Sequence, residues 1–109
     1  MRIDILTLFP EIALAPLRES IIKRAQNAGI VEIHAHNLRS WALDKHRKTD
    51  DYLCGGGQGM LLKPEPIFAA VAELRGEETK VILTTPQGVP FKQSTAQRLS
   101  TSGHLIFIC

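Results

Sequence analysis

The first ten residues decide the fold, and they read Met1-Arg2-Ile3-Asp4-Ile5-Leu6-Thr7-Leu8-Phe9-Pro10. Aliphatic and β-branched side chains dominate the stretch, and Pro10 ends it. A short apolar run bounded by a breaker is typical of a buried strand. Arg2 and Asp4 interrupt the run, and no small-residue cleavage signal follows, so we expect neither a signal peptide nor a transit peptide. The sequence therefore predicts that the chain opens with a buried strand.

The next residues predict a crossover to a second strand. A helical pattern begins at Glu11, and Pro16 should end or kink that helix near Ala15. Ser20 then has the side chain to cap a second helix, which Gly29 would close. Residues 31–36 alternate between apolar and polar side chains, which predicts a strand paired with the first through a βαβ unit.

The rest of the chain continues the alternation of helices and strands. Residues 37–60 show no clean period and predict a long connection, in which Trp41 and Leu43 are candidate anchors. Later elements are a helix over 64–74, a strand over 81–83, a helix over 92–99 and a strand over 105–108. Strands that alternate with helices predict an α/β fold, a mostly parallel sheet with flanking helices in a single domain over 1–109.

The composition excludes several classes of protein. The 109 residues are 44% hydrophobic and 22% charged, unlike disordered, collagen-like or disulfide-stapled chains. The net charge is only +2, so nucleic-acid binding would have to come from local charge. Cys54 and Cys109 lack a metal-ligand spacing, which favours free thiols in a reducing compartment. No apolar stretch approaches the roughly twenty residues of a membrane helix, so no membrane partner is expected.

Three segments carry candidate chemistry. The first, Gly55-Gly56-Gly57-Gln58-Gly59-Met60, is neither a Walker loop nor a dinucleotide fingerprint, which disfavours both nucleotide cradles. Its glycines allow close backbone approach to a ligand, and a flexible loop tip is an equally good interpretation. The second, residues 39–48, carries four cations beside Trp41 and could contact phosphates and bases, although such a run is more often a solvated face.

The third segment, Thr84-Thr85-Pro86-Gln87-Gly88, directly follows a predicted strand. Parallel α/β sheets bind ligands beyond the carboxyl ends of their strands, and a tight turn is the alternative interpretation. Elsewhere, His34 and His36 would point to one side of a strand, but no third ligand has a recognisable spacing, so no metal site is predicted. Cys54 lacks a histidine partner in sequence and is interpreted as a small filler rather than a nucleophile.

Four motifs occur in order along the chain: Ile5-Leu6-Thr7-Leu8-Phe9-Pro10-Glu11, Asp44-Lys45-His46-Arg47-Lys48-Thr49-Asp50-Asp51, Gly55 to Met60, and Thr85-Pro86-Gln87-Gly88. Together they strongly resemble the amino-terminal part of the bacterial tRNA (guanine-N1)-methyltransferase family. The resemblance implies a cytoplasmic, homodimeric enzyme of the SPOUT class with a deep trefoil knot. It also implies S-adenosylmethionine as the methyl donor, tRNA as substrate, and methylation at N1 of the guanosine 3′ of the anticodon.

The resemblance also assigns roles to residues of this chain. The resemblance assigns cofactor binding to Leu83, Thr84, Thr85, Pro86, Gln87 and Gly88. It assigns contact with tRNA near the target base to His46, Arg47, Asp50, Gly55, Gly56, Gly57 and Gly59. The family's catalytic base, the completed knot and the carboxyl-terminal domain all match positions beyond residue 109. No catalytic residue is therefore named in this chain, and the chain alone is expected to be inactive.

Two further expectations separate this interpretation from its alternative. If the chain is an amino-terminal portion, the strand over 105–108 should lack cover, and the chain should self-associate through exposed edges or apolar surface. The alternative is a non-catalytic small α/β module that binds RNA or a nucleotide, and that module should be a folded monomer.

Overall fold

Four parallel strands form one sheet in the computed structural model, which describes residues 1–53 and 56–109. These strands are β1 (Arg2–Thr7), β2 (Glu32–Asn37), β5 (Thr79–Leu83) and β6 (His104–Ile108). Their spatial order is β2-β1-β6-β5, so the first and last strands of the chain lie side by side in the middle. A separate antiparallel pair consists of β3 (Asp50–Tyr52) and β4 (Met60–Leu62). The predicted α/β fold with a parallel sheet is confirmed.

Four helices connect the strands: α1 (Pro10–Leu14), α2 (Ser20–Asn27), α3 (Pro64–Leu74) and α4 (Gln93–Ser100). Short 3₁₀ turns occupy Ala15–Arg18 and Leu38–Trp41. As predicted, α1 ends before Pro16, whose ring and missing N–H are incompatible with a helix interior. Gly29 closes α2 with a φ of 72°, as a left-handed C-terminal residue.

The predicted cap of α2 is wrong. Glu19, not Ser20, is the N-cap residue, and no side chain caps this helix. Ser20 is the first residue of the helix and has a positive φ of 54°. A residue in that conformation is not in the extended geometry that lets an N-cap serine reach the backbone N–H groups of the first turn.

The core lies on one face of the sheet. Leu6, Ile106 and Ile108 share this face because they stand in register across β1 and β6. They are buried together with Ala70 of α3 and Leu38 of the second 3₁₀ turn. The predicted exposure of the strand over 105–108 is therefore wrong, since β6 pairs with β1 on one side and β5 on the other.

The long connection predicted over 37–60 is only partly correct. It contains a 3₁₀ turn and β3, and β4 begins at Met60. Trp41 does pack against the core, as expected, whereas the predicted anchor Leu43 is 98% exposed. Strands of three residues are too short to leave a period-two pattern in the sequence.

One edge of the sheet collects the carboxyl ends of all four strands, because the strands are parallel. Residues 38–63 follow β2 at this edge, and residues 84–92 follow β5. The fold therefore brings the basic, glycine-rich and Thr84–Gly88 segments to the edge where parallel sheets bind ligands.

Candidate functional site

The loop that follows β5 is a tight turn built on the end of β6. Thr84 donates both its backbone N–H (3.1 Å) and its hydroxyl (3.0 Å) to the carbonyl of Ile108. The Gly88 N–H then donates to the Thr85 carbonyl at 3.1 Å, and the Gln87 N–H approaches the Thr85 hydroxyl at 3.3 Å. Residues 83–88 are all exposed. The hydrogen bonds hold the backbone of the turn, and its remaining polar groups are accessible to a ligand.

A cavity of about 480 Å³ opens beside this turn, between β5 and α4. Leu83, Val89 and Phe91 give it apolar walls, while Thr84, Thr85 and Arg98 supply polar groups. Planar apolar groups suit such walls, and a few polar groups at the side fix a ligand's orientation. The cavity therefore suits a ligand that combines an apolar ring with polar groups.

Gly88 lies close to the start of the turn. A Cβ placed there would lie 3.2 Å from the Thr85 carbonyl oxygen and 3.5 Å from the Thr85 methyl group. The first of these distances is tighter than ordinary van der Waals contact, so a side chain at this position would require the Thr85 carbonyl to shift by a few tenths of an ångström.

Asp44 accepts two hydrogen bonds within the basic segment, residues 39–48. The Asp44 backbone carbonyl accepts from the Arg47 N–H at 3.0 Å, and the Asp44 carboxylate accepts from the Lys48 backbone N–H at 2.8 Å. Arg47 has a φ of 49°, a left-handed conformation that is uncommon for a residue other than glycine. Its side chain and that of His46 are exposed, while Asp50 is half-buried at the start of β3.

Three glycines of the glycine-rich loop have positive φ values. Gly56, Gly57 and Gly59 have φ values of 81°, 126° and 104°, which residues with a Cβ rarely adopt. All three are exposed. Gly55, a predicted tRNA contact, and Cys54, interpreted as a filler, lie outside the described residues.

A second cavity of about 460 Å³ lies between the basic segment, the β3–β4 pair and the first turn of α3. We call it the hairpin groove, and its walls include Trp41, Lys48, Asp51, Tyr52, Leu61 and Pro64. The Trp41 indole N–H donates to the Glu73 carboxylate of α3 at 2.7 Å. The groove is not predictable from the sequence, because its walls come from segments that only the short hairpin brings together.

The described members of the two predicted sets of site residues lie at the same edge of the sheet but not in one cavity. The basic and glycine-rich segments follow β2, whereas the Thr84–Gly88 turn follows β5. Two strands separate β2 from β5, which places them roughly 14 Å apart at normal strand spacing. Among residues 1–53 and 56–109, the two cavities share no lining residue.

A buried carboxylate, not predicted from the sequence, joins three strands. Asp4 of β1 is fully buried, and its two oxygens accept four hydrogen bonds. Arg2 donates from Nε at 2.7 Å and from Nη2 at 3.1 Å, and the Nε2 atoms of His36 on β2 and His104 on β6 each lie 2.6 Å away. These bonds occupy the acceptor capacity of the carboxylate. We call Asp4 and its three partners the Asp4 cluster.

The hydrogen bonds decide the charge of Asp4. Burial alone raises the pKa of a carboxyl group, but the bonds from Arg2, His36 and His104 and the positive charge of Arg2 outweigh burial. Together they lower the pKa of Asp4 to about 2. An aspartate inside an apolar strand was the one sequence signal for this cluster.

The two histidines of β2 differ in their environments. His34 Nε2 lies 2.6 Å from the Glu32 carboxylate on the same strand, whereas His36 reaches Asp4. In residues 1–53 and 56–109, no group of three or more His, Cys, Asp or Glu side chains is arranged to hold a metal ion. The described helices are all too short or too polar to cross a membrane.

Comparisons with known proteins complete these observations. The family model of tRNA (Guanine-1)-methyltransferase TrmD matches residues 1–109. Proteins named tRNA (guanine-N(1)-)-methyltransferase from Staphylococcus epidermidis and Staphylococcus haemolyticus are each 53% identical to the chain over 110 residues. The protein of that name from Dictyoglomus turgidum is 53% identical over 109 residues. All of the chain is covered in each case, but it spans only 44–45% of these relatives' own length.

Proposed function

Because the chain belongs to the tRNA (guanine-1)-methyltransferase family, we propose that it forms the cofactor-binding part of a tRNA methyltransferase. The reaction is transfer of a methyl group from S-adenosylmethionine to N1 of the guanosine 3′ of the anticodon. The observation that carries this proposal is the family match over the whole chain, supported by relatives with 53% identity. Homodimerisation, a SPOUT-type knot in the whole protein and a cytoplasmic location are parts of the same proposal.

Cofactor binding is assigned to the turn after β5. Leu83 offers an apolar surface to the adenine ring, and the backbone groups of Thr85, Pro86, Gln87 and Gly88 face the polar parts of the ligand. Thr84 positions the turn through its two bonds to Ile108. When bound, S-adenosylmethionine supplies an activated methyl group on a sulfonium centre.

Binding of tRNA is assigned to the basic and glycine-rich segments. Arg47 and the neighbouring lysines are suited to phosphate groups, because cations bind the RNA backbone without regard to sequence. Gly56, Gly57 and Gly59 leave room for the backbone to approach an unstacked base. His46, Asp50 and Gly55 complete the assignment made from the resemblance.

Methyl transfer to N1 also requires removal of the proton from that nitrogen. The resemblance assigns that step to a carboxylate outside residues 1–109, so we propose that the chain alone binds but does not methylate. Incubation with labelled S-adenosylmethionine and unmodified tRNA, beside the full-length Staphylococcus epidermidis relative, tests this proposal. Label in tRNA with the relative only is the expected result, and label with the chain alone would contradict it.

Calorimetric titration of S-adenosylmethionine into the chain, compared with S-adenosylhomocysteine, tests the cofactor site. Saturable one-site binding by both is expected, because the two share the adenosine and the amino-acid tail. A chain shown to be folded by circular dichroism that binds neither ligand would contradict the assignment of the turn. A folded chain that binds tRNA but can bind neither of the two ligands would favour the alternative of a non-catalytic RNA-binding module.

A further inference from the structure

The hairpin groove has one aromatic wall that is held in place and one that is open to solvent. Trp41 packs against the core, and its indole N–H donates to the Glu73 carboxylate at 2.7 Å. Tyr52 of β3 also lines the groove, but it is 81% exposed. Leu61 and Pro64 add apolar surface. The groove therefore offers a fixed apolar wall and an accessible aromatic ring to a ligand.

Two lysines line the same groove, and the backbone brings them together. The carbonyl of Thr49, a fully buried residue, accepts the N–H of Lys63 at 2.7 Å. Because Lys48 precedes Thr49, both lysines lie at the end of the hairpin opposite its glycine-rich loop. Among the residues that the structure describes, neither ammonium group pairs with a carboxylate. Both positive charges are therefore available to an anionic ligand.

Three carboxylates also line the groove, and two of them already accept hydrogen bonds. Asp44 accepts the backbone N–H of Lys48, and Asp51 accepts the backbone N–H of Tyr52, each at 2.8 Å. Glu65, in the first turn of α3, is the third. Carboxylates of this kind accept hydrogen bonds from the amino groups of nucleobases. The groove thus combines an aromatic ring, two unpaired cations and an acceptor.

This combination is the one with which proteins bind single-stranded nucleic acids. Bases stack on exposed aromatic rings, while cations hold the phosphates of the backbone. The volume of about 460 Å³ lies within the range of about 300–1,000 Å³ that is usual for small-ligand sites, and one nucleotide fits such a space. Two residues of the groove, Asp44 and Lys48, also flank His46 and Arg47, to which the proposed function assigns tRNA contact.

We propose that the hairpin groove binds one unstacked nucleotide of an RNA loop, with its base on Tyr52 and its phosphate held by Lys48 and Lys63. This role of the groove rests on the proposed function, because that function supplies tRNA as the ligand. The groove belongs to the segment after β2, whereas the proposed cofactor turn follows β5, two strands away. The nucleotide in the groove is therefore a neighbour of the target guanosine and not the target itself.

Binding of an anticodon stem-loop tests the stacking contact. Tyr52→Ala should weaken binding by about fivefold or more, the loss expected when one base–aromatic stack is removed, whereas Tyr52→Phe keeps the ring and should bind normally. Phe68→Ala is the matched control, because Phe68 is 73% exposed on α3 but does not line the groove. No weakening by Tyr52→Ala, or equal weakening by Phe68→Ala, overturns the proposal.

Salt dependence tests the phosphate contact. Lys48→Gln and Lys63→Gln should each reduce the slope of log affinity against log salt concentration by about 0.7, the value for one phosphate of a single strand. Lys80→Gln, an exposed lysine of β5, should leave the slope unchanged. Slopes that stay the same in both groove variants, or that fall equally in the Lys80 variant, contradict the proposal.

Trp41 reports occupancy of the groove without any substitution. It is the only tryptophan of the chain and lines the groove, so its emission should change as the stem-loop saturates the unmodified chain. Constant emission at saturation overturns the proposal. If Tyr52→Ala instead shifts the chain towards the monomer in sedimentation without changing RNA binding, the groove is a protein interface and the proposal is wrong.

Failure of the groove can be told apart from failure of the proposed function. Stem-loop binding that is insensitive to Tyr52, Lys48 and Lys63 excludes the groove but leaves the proposed tRNA contacts of the basic segment standing. A folded chain that binds no stem-loop contradicts both the groove and those contacts. The calorimetric titration with S-adenosylhomocysteine decides the cofactor part in either case.

Discussion

Asp4 makes the stability of the fold depend on pH. Its pKa is about 2 in the folded chain, below the ordinary value of 3.8. A lowered carboxyl pKa stabilises the fold fully above the ordinary value, and this stabilisation is lost as the pH falls towards 2. The difference corresponds to about 2 kcal/mol at neutral pH.

Replacing Asp4 by Asn should therefore destabilise the fold and flatten its acid dependence. The neutral amide no longer attracts Arg2, and its N–H₂ group faces donors in a fully buried position, so a loss of about 3 kcal/mol is expected. Urea unfolding at pH 7 and at pH 3 measures both effects. Glu11→Gln is the control, because the Glu11–Arg18 pair is exposed and should change nothing measurable. Equal losses in the two variants would contradict the role assigned to Asp4.

Gly88→Ala should weaken cofactor binding by several-fold, because its Cβ would press on the Thr85 carbonyl and shift the backbone of the turn. The matched control is Gly103→Ala, whose added Cβ meets nothing within 4 Å. Neither glycine has a positive φ, so the comparison isolates the steric effect. Calorimetry with S-adenosylhomocysteine measures the affinity, and identical affinities for the two variants would show that the turn does not contact the ligand.

At the scale of elements, the sequence predicts the structure wherever an element is long enough to show its period. The helix over 64–74 and the strands of the main sheet are confirmed, because their apolar side chains repeat at helical or strand spacing. The three-residue strands β3 and β4 are not predictable in this way. The Asp4 cluster is hidden for a different reason, since its histidines lie 32 and 100 residues from Asp4 in sequence.

Helix α4 should be less stable than α3, although both flank the same sheet. None of its side chains is buried, and a cavity of about 480 Å³ separates it from β5, whereas α3 buries Pro66 and Ala70. Local opening costs little where few apolar contacts must break. Hydrogen exchange should therefore replace the backbone amide protons of α4 well before those of α3. Saturating cofactor should slow exchange in α4, and equal protection of the two helices in the free chain would contradict the prediction.

At the scale of the whole molecule, apolar side chains remain exposed around the proposed cofactor turn. Leu83, Val89 and Phe91 are 61%, 89% and 67% exposed. Together with the side of β5 that pairs with no strand among residues 1–53 and 56–109, they form a surface suited to a protein partner. This surface replaces β6 as the expected cause of self-association of the chain.

Phe91→Lys should shift the chain towards the monomer in sedimentation experiments, because a charge in an apolar contact opposes association. Ile30→Lys is the control, since Ile30 has the same 67% exposure but lies before β2, away from the turn. A monomeric unmodified chain, or equal dissociation by both substitutions, would show that the surface around Phe91 does not cause association.

The central position of β6 has a consequence for synthesis of the chain. β1 leaves the ribosome first and can pair with β2, but its other side stays open until residues 104–108 emerge. Throughout that interval, Leu6 and its apolar neighbours lack the strand that buries them. A nascent chain with an open central edge is vulnerable to aggregation and is a natural client for chaperones. The four-stranded sheet is complete only when β6 has been made, so its folding during translation is delayed until residues 104–108 have emerged.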